Sequence, residues 1–247
     1  MQKKNQLPNI GESIGNINFS DDNPEFHEIR KSPVSRDKLK RSEISVRTYE
    51  NNQEFSVAVT AATLLRHSVK SMLDYPFRPN DSQRMIKKMM EIISHDVTNS
   101  RGQRNIADGP LHRLLGYAFN NLEVHTGMLD KLRSIVNRAA GELTVQVQSF
   151  KPAFYIRPRA AVTHFKILTA AIELDFGEKQ YIRHVQESIT MPLDETPTGE
   201  MHVTHALTPA SANPLILVFG LKFLYLSGDH MQSLVGSQFT IIHVDKV

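Results

Sequence analysis

The segment Arg101-Gly102-Gln103-Arg104 contains the residue types best suited to binding an anion. Two guanidinium groups beside a glycine can hold a phosphate or a carboxylate through paired hydrogen bonds. Asp96 and Asp108 flank the segment and offer the alternative of ion pairs within the chain. We therefore take Arg101 and Arg104 as a candidate anion-binding pair, with internal ion pairing as the competing interpretation.

Histidine is the other abundant reactive residue, and the closest pair is His202 and His205. The alternation of apolar and polar residues around this pair predicts a strand. Residues three apart on a strand point to opposite faces, so these two imidazoles are not expected to share a metal ion. Glu173 and Asp175 share a strand face, which we expect to be exposed to solvent rather than to line a catalytic cleft. We predict no metal site and no cofactor.

The common catalytic signatures are missing. The sequence has no glycine-rich phosphate loop, no nucleophile elbow and no zinc-protease helix motif. It also has no cysteine, which excludes disulfides and thiol catalysis. A hydrophobic content of 40% excludes a fully disordered chain, and no apolar run reaches the ~20 residues of a membrane span. No secretory signal is recognisable, so we expect a cytoplasmic protein. Because no catalytic motif is found, we expect that the protein is not an enzyme.

The elements that must position these residues change type along the chain. Apolar residues at helical spacing predict helices over Ser56–Leu73 and from about Ser82 to Val97, and a short third helix after Pro110. Beyond about residue 140 the apolar period changes to two, which predicts strands. The third helix is expected to bury Leu111, Leu114, Leu115 and Ala118.

The longest predicted strand begins at Leu215 and is apolar on both faces over its first half, so it should be central in its sheet. Several strands separated by turn residues predict a β-sandwich. The expected fold is α+β, with a helical N-terminal segment followed by an antiparallel β-sandwich. We divide the chain into an extended or disordered tail (1–50), a helical unit (51–121) and a sandwich domain (122–247).

Three methionines, Met85, Met89 and Met90, widen the apolar stripe of the second helix beyond a single buried face. Methionine packs adaptably against varied surfaces. These side chains therefore either form an interaction surface for another subunit or fill the chain's own core.

Several stretches resemble a recurring block in uncharacterised Bacteroidetes proteins. They are Tyr49–Phe55, Arg101–Asn105, Val162–Ile167 with Ala171–Phe176, and Leu217–Phe223. The resemblance extends from roughly residue 30 to the C-terminus and includes no catalytic motif. It implies a helical front half and a β-rich back half, and it implies no activity.

Two partner classes remain open. Between Arg66 and Arg113 there are nine basic and five acidic residues, so a nucleic acid is the alternative partner for this basic segment. The tail is polar, with isolated apolar residues such as Ile10, Ile14 and Phe19, as expected of an arm that orders on a partner. We therefore expect a non-enzymatic structural or interaction protein, a subunit of a homo- or hetero-oligomeric assembly that forms mainly by self-association.

Overall fold

A computed structural model describes the residues 17–18, 29–30, 43–73, 77–158, 162–228 and 230–246. The chain divides into two compact units, Met1–Tyr49 and Glu50–Val247. In the first unit, β1 (Ile17–Asn18) pairs antiparallel with β2 (Ile29–Arg30). Most of the tail predicted for residues 1–50 lies outside the described residues.

Two long helices occupy the front half, α1 (Glu43–Val69) and α2 (Pro79–Ser94). Helix α1 begins at Glu43 rather than at Ser56, because no glycine or proline interrupts the intervening residues. Once a helix is nucleated, adding a residue costs little free energy, since each one forms a further hydrogen bond. Helix α2 begins at Pro79 and ends at Ser94. Val97, predicted to belong to this helix, lies beyond its end and is exposed.

The predicted third helix is a single 3₁₀ turn at Leu111–Leu114. Leu111 and Leu114 are buried, as predicted, and so is Ala118. The expectation for Leu115 is wrong, since its side chain is exposed. With three residues per turn, Leu111 and Leu114 share one face and the next residue points away from it.

The back half is antiparallel and contains two further short helices, α3 (Thr126–Leu129) and α4 (Pro152–Tyr155). The strands are β3 (Leu132–Asn137), β4 (Glu142–Val147), β5 (His164–Asp175), β6 (Gln180–Glu187), β7 (Met191–Pro192), β8 (Met201–Ala206), β9 (Leu215–Ser227) and β10 (His230–Asp245). One sheet has the strand order β10-β9-β5-β6, with β7 also paired to β5, and the other has the order β3-β4-β8.

The larger sheet is covered on both faces. Helices α1 and α2 pack on one face, where Leu65, Met89 and Ile92 meet Ile172 and Val218 in one core. The smaller sheet faces the other side and forms a second core, which includes Val145, Phe165 and Phe219. The layers are therefore helix, sheet and sheet, which confirms the α+β class.

The prediction that the strand from Leu215 is central is confirmed, since β9 lies between β5 and β10. Its residues 215–221 are all buried because they contribute alternately to the two cores. Gly220 opposes Phe239 of β10, and a Cβ at this position would overlap the phenylalanine ring. No helix among the described residues is both long and apolar enough to cross a bilayer.

Candidate functional site

The two arginines of the candidate anion site are paired with helix α1. Arg101 Nε lies 3.6 Å from a Glu50 carboxylate oxygen, and Arg101 Nη2 donates to Asn51 Oδ1 at 2.8 Å. Arg104 Nε lies 3.9 Å from Glu54. The structure therefore pairs both guanidinium groups with acids of this chain, although with other acids than the flanking aspartates. Anion binding at this pair stays a prediction.

Gly102 allows this close approach of the loop to the helix. Its N–H donates to Glu54 Oε1 at 2.8 Å, and its φ of +83° lies in the left-handed region. A Cβ at this position would lie 2.8 Å from Cγ of Glu50 and 3.2 Å from its Cα. The segment Arg101–Arg104 is thus a clamp that holds the loop between α2 and the 3₁₀ turn against α1.

Asp96 fixes the other side of the same loop. Its carboxylate accepts hydrogen bonds from the backbone N–H groups of Thr98, Asn99 and Asn105, at 2.8 to 3.1 Å, and from the Asn99 amide at 2.9 Å. Burial by itself would raise the pKa of Asp96, but the four hydrogen bonds outweigh this effect and lower the pKa to about 2. The flanking aspartate therefore has a structural role as an ionised turn anchor.

The methionine candidates have two environments. Met85 and Met89 are buried in the core that α1 and α2 share with the larger sheet, so in this conformation they are not available to a partner. Met90 is partly buried against the same core. The apolar stripe of α2 is wide because this helix packs against α1, the sheet and the 3₁₀ turn at once. Of the two interpretations offered by the sequence, these methionines therefore follow the second, in which they fill the chain's own core.

His202 and His205 lie on opposite faces of β8, as predicted. His202 is exposed and lies 3.2 Å from Glu200, whereas His205 is fully buried between the sheets. The His205 Nε2 is 2.9 Å from the Thr169 hydroxyl, and its Nδ1 is 3.2 Å from Nδ1 of His184. Desolvation and the nearby His184 lower the pKa of His205 to about 4, so this imidazole is neutral at pH 7.

The expectation of a solvent-exposed face at Glu173 is wrong. Glu173 is buried between the sheets, and its carboxylate accepts the Thr208 N–H at 2.7 Å. Asp175, at the end of β5, accepts the Glu178 N–H at 2.9 Å. Both carboxylates anchor loops. Glu173 is buried because both faces of the sheet are covered at its position, whereas Asp175, at the strand end, is only partly buried.

A cavity of about 420 Å³ lies beside α1, and we call it the α1 groove. Its apolar walls come from α1 (Val57, Ala61, Leu64), the clamped loop (Ile106, Ala107) and Phe176 at the end of β5. The remaining lining residues are Ser56, Thr60, Asn105, Asp108, Gly177 and Lys179. The sequence pattern gives no sign of this groove, because Val57 and Leu64 lie just outside the apolar stripe that predicts the helix.

A second unassigned feature is the outer edge of β6. This strand is the last in its sheet, and no described residue makes a backbone hydrogen bond to it except those of β5. Two consecutive residues of β6 are exposed: Tyr181, on the face that α1 covers, by 39%, and Ile182, on the opposite face, by 59%. An unpaired strand edge is a ready template for another strand.

Within the described part of the chain, no three histidine or acidic side chains converge as metal ligands. Comparison of the chain with protein-family models, with curated proteins and with solved structures finds no match in any of the three. The geometry of the chain itself is therefore the basis for a proposed function.

Proposed function

We propose that this protein is a non-enzymatic interaction subunit that associates with a second copy of itself through the outer edge of β6. The observation that carries the proposal is the combination of eight residues of unpaired edge strand with two exposed apolar side chains on it. Paired edges satisfy backbone N–H and C=O groups that otherwise need water.

A second copy is a suitable occupant because an antiparallel pair of identical strands satisfies the same groups on both sides about a two-fold axis. If the helices of both copies lie on the same side of the joined sheet, the side chains of two paired residues point to the same side of that sheet. Ile182 can then oppose its own counterpart. This register buries the most exposed apolar side chain of β6 in both copies.

Light scattering coupled to size-exclusion chromatography tests the proposal on the full chain at about 1 to 100 µM, a range that spans modest affinities. We expect a concentration-dependent dimer that Ile182→Lys weakens at least tenfold, because a charge would lie in the paired edge. Val97→Lys is the matched control, since Val97 is an exposed apolar residue in a loop. A full chain that stays monomeric throughout, or an unchanged dimer in Ile182→Lys, would overturn the proposal.

The absence of cysteine allows an independent check of register. Ile182→Cys should form an intermolecular disulfide under mild oxidation, whereas Val97→Cys should not. Equal cross-linking of the two variants would indicate random collision rather than pairing of β6.

Nucleic-acid binding by the basic segment remains a prediction that the geometry does not favour. Five of its nine basic side chains are in ion pairs with acids of this chain, namely Arg84, Lys88, Arg101, Arg104 and Arg113. Gel retardation at increasing salt tests this alternative, because phosphate contacts weaken steeply with ionic strength.

A further inference from the structure

The α1 groove combines an apolar floor with two opposite charges at its rim. Val57, Ala61, Leu64, Ile106 and Phe176 provide most of the apolar lining, and Asp108 and Lys179 also line the cavity. Its volume of about 420 Å³ lies within the range of small-molecule sites. No residue of the β6 edge proposed for self-association lines it.

The negative charge at the rim is held in place by the clamped loop. The Asp108 Oδ2 accepts the amide groups of Asn105 and Asn99, each at 2.7 Å, and the Asp108 N–H donates to Asn105 Oδ1 at 2.9 Å. These two amide donors, that of Asn105 first, and the charge of the nearby Lys246 lower the pKa of Asp108, so the carboxylate is ionised at neutral pH. Lys246 itself does not line the groove. Its Oδ1 makes no hydrogen bond to any described residue, which leaves this oxygen able to accept one from a ligand.

The positive charge comes from the turn between β5 and β6. Lys179 has a φ of +56°, a left-handed backbone conformation, and it lines the groove. Its ammonium makes no ion pair or hydrogen bond within the described part of the chain. Glu178, the adjacent acid, does not line the cavity.

We infer that the α1 groove binds a small zwitterion with an apolar side chain, an apolar amino acid or dipeptide, whose ammonium meets Asp108 and whose carboxylate meets Lys179. The apolar side chain then lies on the floor formed by α1 and Phe176. A zwitterion uses both charges, whereas a fatty acid would pair only with Lys179 and an alkyl amine only with Asp108. A sugar would not use the apolar walls.

Isothermal titration and amide chemical-shift mapping on the full chain test this inference with leucine, phenylalanine and leucyl-leucine. Three matched compounds each remove one feature: isoamylamine lacks the carboxylate, 4-methylpentanoate lacks the ammonium, and glycine lacks the side chain. We expect binding by at least one of the zwitterions, with shifts at residues 105–108 and 176–179. The three matched compounds should bind at least tenfold more weakly, as expected for the loss of a charged hydrogen bond or of apolar burial.

Lys179→Met is the decisive variant, because its side chain has no partner within the described residues whose loss would unfold the turn. It should weaken zwitterion binding at least tenfold, with no change in the thermal transition. Lys87→Met is the control, an exposed lysine on α2 outside the groove. The inference is overturned if none of the zwitterions binds at about 10 mM, well above ordinary ligand affinities. It is also overturned if the matched compounds bind equally, or if Lys179→Met binds normally. None of these outcomes depends on the oligomeric state, so the inference and self-association through β6 can fail separately.

Discussion

The backbone of Gly102 lies so close to Glu50 that a Cβ at Gly102 would be 2.8 Å from the glutamate Cγ. At this contact, the loop that forms one wall of the α1 groove packs directly against α1. The contact explains why a glycine stands between Arg101 and Arg104, whose guanidinium groups lie near Glu50 and Glu54.

Gly102→Ala should destabilise the protein for two reasons, a left-handed φ and a collision with the helix. Gly116 is the matched control, because its φ is +76° and nothing lies within 4 Å of an added Cβ. We expect a loss of about 1 kcal/mol in unfolding free energy for Gly116→Ala and about 2–3 kcal/mol for Gly102→Ala. Urea denaturation followed by circular dichroism measures both values. Equal losses would show that the loop does not press on α1.

Stability should fall in mild acid because of His205. Its pKa is about 4 in the folded protein and 6.5 in an unfolded chain, so the unfolded state binds more protons between these values. The free energy of unfolding should therefore be highest above about pH 6.5 and should decrease by on the order of 3 kcal/mol as the pH falls to 4.

Urea unfolding at several pH values, with two glutamine variants, isolates this effect. His205→Gln should reduce the slope between pH 6.5 and 4, although it also lowers stability at pH 7 by disturbing the contact with Thr169. His202→Gln, on the exposed face of the same strand, should retain the wild-type slope. If the His205 variant keeps the full slope, another group controls the acid sensitivity.

The N-terminal tail is the second expected contributor to assembly, on sequence grounds alone. Removing residues 1–42 leaves all of α1 in place, since this helix begins at Glu43. We expect the truncated protein to keep its thermal transition and to associate more weakly, because an arm that orders on a partner adds contacts only in the complex. Analytical ultracentrifugation of both chains measures the change. Equal dimer affinities would exclude a role for the tail in association.

Much of the secondary structure was predictable because helices and strands leave local periodic signals. The change to a period of two beyond about residue 140 correctly predicted the strand β4, which begins at Glu142. The strand β3 was not predicted, although its residues alternate between partly buried and exposed. The exposed face carries the apolar Ile135, so the sequence does not alternate strictly between apolar and polar residues. The length of α1 was underestimated because its first turns have no apolar stripe.

The candidate sites were less predictable, because residue type shows what a side chain can do and not what it meets. Arg101 and Arg104 were recognised as cations beside a glycine, but their partners lie about fifty residues earlier on α1. Met85 and Met89 make the apolar stripe of α2 wider than one buried face requires. Only the packing of α2 shows that both side chains are buried in the chain's own core.

Three features could be predicted from near neighbours along the chain: the order of helices before strands, the central position of β9, and the opposite directions of His202 and His205. Three others became visible only in the folded chain: the helices cover the larger sheet, Glu173 and His205 are buried, and α1, the clamped loop and the end of β5 enclose a groove. These features depend on contacts between residues far apart in sequence, such as His205 with Thr169. A local period fixes the direction of a side chain within its own element and contains no information about which distant element will face it.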